Sequence, residues 1–286
     1  METSQAGARA LWQRTEPLHA VVYFAERCVG LGRAMGLKGF WMGYFAVRTA
    51  PLGAVGPGAA TAVLGVFAPG MVARALPASW EVVSPAEVLD HRARAAAASL
   101  RELDPELDAR AAALAGPLAA MVERAPLVGR PLFAANREVC DRADPVERLW
   151  QLTTALREFR GDAHVAVLAD HGLDACEALV LAAADGRVPG GWMREARGFT
   201  EEEWAAAADR LRSRGLVDAA GTATAHGREE RQRIEDATDR LAAPLLRPLS
   251  EADADALLAA LLPTVERVTA SGTLPFPNPI GLPRPV

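Results

Sequence analysis

Cysteine is scarce in this sequence of 286 residues, which excludes the classes of protein that depend on it. The three cysteines, Cys28, Cys140 and Cys176, are widely spaced and form neither a disulfide framework nor a Cys-x-x-Cys metal site. Residues 1–17 also lack the basic start, apolar run and cleavage site of a signal peptide. We therefore expect a protein of the reducing cytoplasm.

Enzyme motifs of high specificity are missing as well. The sequence has no Walker A loop, no Gly-x-Gly-x-x-Gly after a strand, no His-Glu-x-x-His and no Gly-x-Ser-x-Gly. It identifies no cofactor. Any catalysis would depend on isolated polar residues, and we keep it as an alternative to binding without chemistry.

Aromatic residues and positive charge are also limited. Only two tyrosines and eight phenylalanines accompany abundant Ala, Leu, Arg and Glu, a composition that favours helix over sheet. The formal charge of −5 argues against a generic nucleic-acid binder, although a local basic patch is compatible with an acidic average. With 50% hydrophobic residues, the chain has room for two domains.

Residues 174–246 carry a series of helix start and stop signals. Capping boxes stand at Asp174–Glu177 and Thr200–Glu203, and glycines that end helices stand at 186, 198 and 215. Trp204, Ala208 and Leu211 form one apolar stripe on the third helix. A short hairpin from 216 to 224 and a charged amphipathic helix from 226 to 241 follow. This order predicts a helix-turn-helix with a small two-stranded wing.

The same region resembles the MarR-type regulators. The resemblance lies in the segments Leu211–Val217, Thr224–Arg228 and Ile234–Leu241. The full chain, with Gly39–Phe45, Arg48, Ala50–Gly53, Arg160–His164 and Asn278–Gly281, more specifically resembles an actinobacterial family filed beside MarR regulators, sometimes as SalK-like. The resemblance implies a winged-helix fold. It also implies a pocket for an aromatic or anionic small molecule between the dimerisation region and the winged helix.

DNA binding is disfavoured by the helix that should read the bases. Its first turn contains Glu201, Glu202 and Glu203, which suit the helix dipole and repel the phosphate backbone. Five arginines offer a compensating basic patch: Arg194, Arg197, Arg210, Arg212 and Arg214. If the protein is a regulator, Arg194 and Arg212 are the predicted DNA contacts. The alternative is that these arginines pair with the nearby acids.

A segment without charge, Thr49–Ala73, is long enough to span a bilayer, but three prolines divide it. We therefore expect short buried helices rather than a membrane span. The order of elements predicted for the second half also occurs in the first half. It consists of helices at 40–49, 57–67 and 69–75, a degenerate wing at 80–83 and a capped helix from Ser84 to Leu103. The alternative fold therefore contains two pseudo-duplicated winged-helix units, and one chain would mimic a dimer.

Two polar clusters lie in apolar surroundings. Glu16, His19 and Tyr23 share one helical face, an arrangement that can ligate a metal or orient an imidazole as a general base. In the second cluster Gly161 is expected to kink a helix so that Asp162 and His164 meet on an irregular turn. If the protein is an enzyme, the predicted catalytic residues are His19, His164 and Asp162. The weaker metal hypothesis uses Glu16, His19 and His164, and the structural alternative gives each histidine a packing or capping role.

Trp41, Tyr44 and Arg48 fall on one face of the helix at 40–49, where an arginine requires either an ordered set of carbonyls or an anionic partner. That partner is either a ligand, or Asp162 or Glu16 in a structural ion pair. With Arg160 and Tyr23 added, these residues form the predicted ligand-binding set.

These observations predict a mainly α winged-helix protein with four parts. They are a helical domain at 8–140, a connecting helix at 141–172, a MarR-like winged-helix domain at 173–269 and an extended proline-rich tail at 270–286. The predicted function is small-molecule binding with weakened DNA recognition. The alternatives are an enzyme of small-molecule secondary metabolism with a pocket around His19 and His164, and a DNA-binding regulator. A homodimer is a further expectation.

Overall fold

A computed structural model describes residues 2–284, which fold into α-helices, three short 3-10 helices and connecting turns. The α-helices are α1 (Glu2–Phe24), α2 (Glu26–Val29), α3 (Leu31–Ala34), α4 (Gly39–Thr49), α5 (Pro57–Leu64), α6 (Pro69–Ala73), α7 (Pro85–Leu103), α8 (Leu107–Arg124), α9 (Pro131–Glu138), α10 (Pro145–Asp170), α11 (Ala175–Ala184), α12 (Gly190–Arg197), α13 (Glu201–Ser213), α14 (Ala225–Ala242) and α15 (Glu251–Ala270). The 3-10 helices are Ala50–Leu52, Ala78–Glu81 and Ala243–Leu246. The prediction of a mainly α protein is confirmed.

Helix α10 is the central element, because it packs against α1, α7, α8, α9 and α14. The predicted kink at Gly161 was wrong, since α10 continues from Pro145 to Asp170 without a break. The five neighbouring helices hold the helix continuous, and this packing overrides the weak helix propensity of one glycine. Asp162 and His164 therefore lie two residues apart on a regular helix, and their side chains point in different directions.

Two hydrophobic clusters form the interior. The first joins α1, α4, α7, α8, the first half of α10 and α15. The second joins the end of α10 and α11–α14 to residues of α5 and α6 such as Leu64 and Met71. The residues from 60 to 76 thus pack with the second half of the chain, whereas the sequence grouped them with residues 8–140. The proposed degenerate wing at 80–83 was wrong, because Ala78–Glu81 is a 3-10 helix.

The charge-free segment is divided as its prolines predict. Pro57 and Pro69 each stand at the first turn of a short helix, where the missing N–H has no cost. Across residues 2–284, a helix that combines the length and the apolar character needed to cross a bilayer is not found.

The predicted helix-turn-helix segment has the expected three helices, α11, α12 and α13. Both capping boxes are present: Asp174 with Glu177, and Thr200 with Glu203. The glycines at 186, 198 and 215 have positive φ values of 76°, 78° and 69°, as helix-ending glycines do. The stripe of the third helix packs inward, with Leu211 fully buried.

The predicted two-stranded wing is reduced to one antiparallel bridge between Val217 and Ala223, and residues 2–284 contain no strand. The Asp218 carboxylate accepts the backbone N–H groups of Ala220 and Thr222, which diverts them from a ladder. Thr224 then caps α14 directly, so too few residues remain in the wing for a second bridged pair.

The C-terminal tail is folded rather than extended. The Asn278 side chain donates to the Leu282 carbonyl and accepts its N–H, both at 2.9 Å. Leu274 and Leu282 are buried in the first cluster. This turn brings the tail against the central part of the molecule.

Candidate functional site

A central cavity of about 280 Å³ lies between α1, α4 and α10 on one side and α11, α12 and α14 on the other. The folded tail, through Pro279–Pro283, forms part of its wall. Val66, Leu179, Val188 and Met193 line an apolar side. The remaining wall is strongly polar.

Arginine dominates the polar wall. Seven arginines line the cavity: Arg9, Arg48, Arg157, Arg160, Arg187, Arg197 and Arg231. Glu16 and Glu235 are the carboxylates of the lining. Helices from distant parts of the sequence supply these side chains, so their convergence is a product of the tertiary fold.

Arg48 forms a buried ion pair with Glu158 of α10. Its Nη2 lies 2.9 and 3.0 Å from the two carboxylate oxygens. Burial opposes the charge of Glu158, but Arg157 and Arg48 outweigh burial and lower its pKa to about 2. The sequence predicted an anionic partner correctly and named the wrong residues, since neither Asp162 nor Glu16 pairs with Arg48. Both arginines of this cluster therefore stay charged beside one carboxylate.

Arg197 ends α12 and enters the cavity without a carboxylate partner among the described residues. Its Nη2 donates to the Pro279 carbonyl at 2.9 Å, and its guanidinium lies 4.5 Å from the centre of the Phe67 ring. Its Nε–H has no hydrogen-bond partner within residues 2–284. Burial lowers the pKa of this guanidinium, as expected for a cation that lacks an anionic partner.

Tyr44 of α4 faces the guanidiniums of Arg48 and Arg197. Burial alone would raise the pKa of its hydroxyl, but Arg48, Arg197 and Arg157 together lower it. Nearby positive charge and a hydrogen bond from Arg48 both stabilise the phenolate form of this tyrosine. This end of the cavity is therefore suited to an anion.

A second charged network lines the α14 side. Arg160 lies 3.2 Å from Glu235 and 2.8 Å from Asp239, and Arg231 lies 2.8 Å from Glu235. Arg9 also pairs with Asp239. Burial would raise the pKa of Glu235, but the surrounding arginines, Arg231 first, lower it to about 2. Carboxylates and arginines are thus closely matched on this side.

His164 and Glu16 also line the cavity. The Nδ1 of His164 is 3.0 Å from the Thr238 hydroxyl, and burial with nearby arginines lowers its pKa to about 4. The imidazole is therefore neutral at pH 7. Glu16 accepts the indole N–H of Trp12 at 3.0 Å, and burial raises its pKa.

The face of α13 that would meet DNA is acidic. Arg194 pairs with Glu201 at 3.2 Å, and Arg212 pairs with Asp209. Arg210 contacts Asp174 and Glu177, while Arg214 donates to the carbonyls of His171 and Gly172. The arginines of the predicted basic patch thus have acidic or backbone partners.

A model of a helix-turn-helix family matches residues 8–275, nearly the whole chain. The chain belongs to this helix-turn-helix family. No curated protein and no solved structure shows significant similarity to it. The match includes the helical part before α11, so this part belongs to the family's architecture. The more specific resemblance to MarR-type and SalK-like proteins stays a prediction.

In this helix-turn-helix protein His19, Tyr23 and Trp41 lie outside the cavity lining. The two nitrogens of His19 contact the Thr154 and Tyr23 hydroxyls, both at 3.0 Å. Burial lowers the pKa of His19 far below its usual value. Trp41 packs on Phe67 at 5.9 Å between ring centres. These contacts are those of packed and hydrogen-bonded interior residues.

Asp162 also points away from the cavity. Its carboxylate accepts the N–H groups of Leu132 and Phe133 at 3.4 and 2.9 Å, and so caps α9 from another helix. Burial raises its pKa to about 6. In the part of the chain that the structure describes, no three His, Cys, Asp or Glu side chains are arranged to hold a metal ion, so Glu16, His19 and His164 do not form such a group.

The structure thus brings Tyr44, Arg48, Arg160, His164 and Glu16 of the predicted set to one cavity. Sequence reasoning missed Arg9, Arg157 and Arg231, which belong to charged helix faces that look solvent-exposed, and Arg187, which lies in the turn between α11 and α12. It assigned Arg197 to a DNA-facing patch. The signal available for Arg197 was its place before Gly198, at the end of a short helix near an apolar segment.

Proposed function

We propose that this helix-turn-helix protein binds a small organic molecule in the central cavity and recognises DNA only weakly. The observation that carries the proposal is a set of buried arginine donors. Arg48, Arg160, Arg197 and Arg231 are 5%, 9%, 6% and 7% exposed, and the Nε–H of each lacks a partner in the described residues. Because unsatisfied buried donors are costly, acceptors from a ligand would stabilise this wall.

The shape of the cavity supports a metabolite-sized ligand. Its volume of about 280 Å³ is close to the lower end of the range for small-molecule sites. Polar donors lie on one side and apolar side chains on the other. A molecule with an acidic group and a compact carbon skeleton matches both.

Weak DNA recognition is supported by charge. Three glutamates occupy the first turn of α13, and Arg194 and Arg212 are paired with acids. Phosphate binding by these arginines would require breaking those pairs. The single bridge at Val217 offers a very short wing. The MarR-like winged-helix assignment, with a reduced wing, is part of this proposal.

Native mass spectrometry of protein purified under mild conditions tests the ligand. We expect a retained small molecule in the wild type and its loss in Ala182→Trp, which fills the cavity. The control is Ala112→Trp, at an exposed position of α8. A mass equally retained by Ala182→Trp, or a wild type that binds nothing from a metabolite extract, would contradict the proposal.

Fluorescence anisotropy with duplex DNA tests the second part. The wild type should bind its upstream region with no preference over an unrelated duplex. Nanomolar, sequence-selective binding that decreases on Arg194→Met or Arg212→Met would instead establish a DNA-binding regulator.

A further inference from the structure

The cavity contains more positive than negative charge. Six of its seven arginines, all but Arg197, contact five carboxylates: Glu16, Glu158, Asp185, Glu235 and Asp239. Among the described residues, two guanidinium charges therefore remain in excess of the carboxylates. From this excess we infer that the ligand is a small dianion, namely a phosphate monoester or a dicarboxylate. The inference rests on the proposed function and specifies the ligand of the same cavity.

Each side of the cavity holds one of the two excess charges, and Arg197 lies on the side where α4, α10 and α12 meet. Arg48 and Arg157 share Glu158, and the second carboxylate there, Glu16, is 3.8 Å from Arg157. Arg197 has no carboxylate partner within residues 2–284. Burial raises the pKa of Glu16, which weakens its contribution as an anion. At the α14 side, four arginines contact three carboxylates. The anionic group of a ligand therefore belongs near Arg197.

The donors at this end are fixed before any ligand arrives. Arg48 is oriented by Glu158, and Arg197 by the Pro279 carbonyl and the Phe67 ring. A guanidinium presents its N–H groups in a rigid planar fork that matches carboxylate and phosphate oxygens. Such preorganised donors favour binding because little side-chain entropy is lost.

The rest of the cavity limits the remainder of the ligand. Val66, Val188 and Met193 provide apolar contacts, and Ile280 of the tail adds another apolar side chain to the lining. A compact carbon skeleton fits beside the acidic group. A volume of about 280 Å³ favours such a compact ligand over a dinucleotide or a long acyl chain.

Calorimetric titration with four aromatic probes at constant ionic strength tests the inference. Phenyl phosphate and phthalate are dianions near pH 7.5, benzoate is a monoanion and benzamide is neutral. We expect at least one dianion to bind ten-fold or more tightly than benzoate, with benzamide weakest. The dianion that binds more tightly then shows whether the site prefers a phosphate monoester or a dicarboxylate.

Variants link this preference to the cavity. Arg197→Met should weaken the preferred dianion at least ten-fold. Arg187→Met, whose side chain is 39% exposed in the wild type, provides a second test with little risk to folding. Arg124→Met, an exposed position outside the lining, should leave the affinity unchanged.

Several results would overturn the dianion inference. They are equal affinity for benzoate and both dianions, no detectable binding of either dianion, or equal effects of Arg124→Met and Arg197→Met. If benzoate or benzamide binds best and Ala182→Trp abolishes this binding, the proposed small-molecule function stands and only the dianion inference fails.

Discussion

At the residue scale, the interior of this protein is unusual for its buried charges. Glu158 interacts with both Arg48 and Arg157 in the centre of α10. A buried ion pair adds little stability compared with apolar packing, but removal of one partner leaves an uncompensated charge. The carboxylate of Glu158 is therefore a sensitive position.

Glu158→Gln should lower the free energy of unfolding by about 3–5 kcal/mol, because two buried guanidiniums lose their shared anion. Urea denaturation at pH 7 measures the change. Glu102→Gln is the control, since Glu102 pairs with Arg27 at the surface with 59% of its side chain exposed. That change should cost about 0–1 kcal/mol. Equal losses for both variants would show that Glu158 does not compensate the arginines.

His164 should make stability depend on pH. Its pKa is lowered from 6.5 to about 4, so the unfolded chain binds the proton more readily and stability decreases as pH falls from 6.5 to 4. We expect an effect on the order of 2 kcal/mol, less than the full shift would give, because His164 is only half-buried. Urea midpoints across this range should change less in His164→Asn than in the wild type.

Asp162 acts in the opposite direction. Its pKa is raised from 3.8 to about 6, so the folded protein binds this proton more readily and its contribution favours folding as pH falls. Both the wild type and His164→Asn contain Asp162, so its contribution cancels when the pH profiles of their stabilities are compared. Identical pH profiles for the two proteins would contradict the assignment to His164.

At the element scale, Gly227 joins the reduced wing to α14. A Cβ at this position would lie 2.0 Å from the Leu216 carbonyl oxygen, a backbone atom that cannot rotate away. Leu216 in turn accepts the Thr224 N–H at 3.0 Å. The close approach explains why a glycine stands in the first turn of an otherwise charged helix.

Gly227→Ala should therefore destabilise the protein by about 1–3 kcal/mol, the cost of overpacking against backbone. Gly116→Ala is the matched control, because a Cβ there meets no atom within 4 Å inside α8. That change should stabilise by roughly 0.5–1 kcal/mol through helix propensity. Thermal unfolding of both variants measures the contrast, and a neutral Gly227→Ala would rule out this tight contact.

The same scale shows which structure can be predicted from sequence. Capping boxes and terminal glycines are local, so the start of α13 at Thr200 and the end of α12 at Gly198 follow from the residues themselves. The partner of Arg48 is 110 positions away and depends on how α4 meets α10. The continuity of α10 through Gly161 likewise depends on its neighbours.

At the scale of the whole molecule, α10 connects the two hydrophobic clusters. Phe159 lies in the first cluster and Val167 in the second. The cavity lies between the helices of these clusters, and Arg197 brings a group from α12 into it. For the candidate site, the sequence indicates which buried positions carry polar side chains. The excess of arginine over carboxylate in the cavity cannot be predicted from the sequence, because it arises only when helices from distant parts of the chain converge.

The acidic surface of α13 leads to the last prediction. Glu201→Gln combined with Glu202→Gln removes two charges and frees Arg194 from its pair with Glu201. Glu203 must stay, because its carboxylate accepts the Thr200 N–H at the start of the helix. We expect nonspecific affinity for duplex DNA to rise about ten-fold at low salt, with a steeper salt dependence.

The matched control for this change is Glu251→Gln with Glu266→Gln, two exposed positions of α15 that give the same net charge. Anisotropy titrations at several salt concentrations compare the two double variants. An equal gain in both would mean that total charge, rather than the surface of α13, limits DNA binding. A gain confined to the α13 variant would show that this helix can approach DNA and that its glutamates oppose the contact.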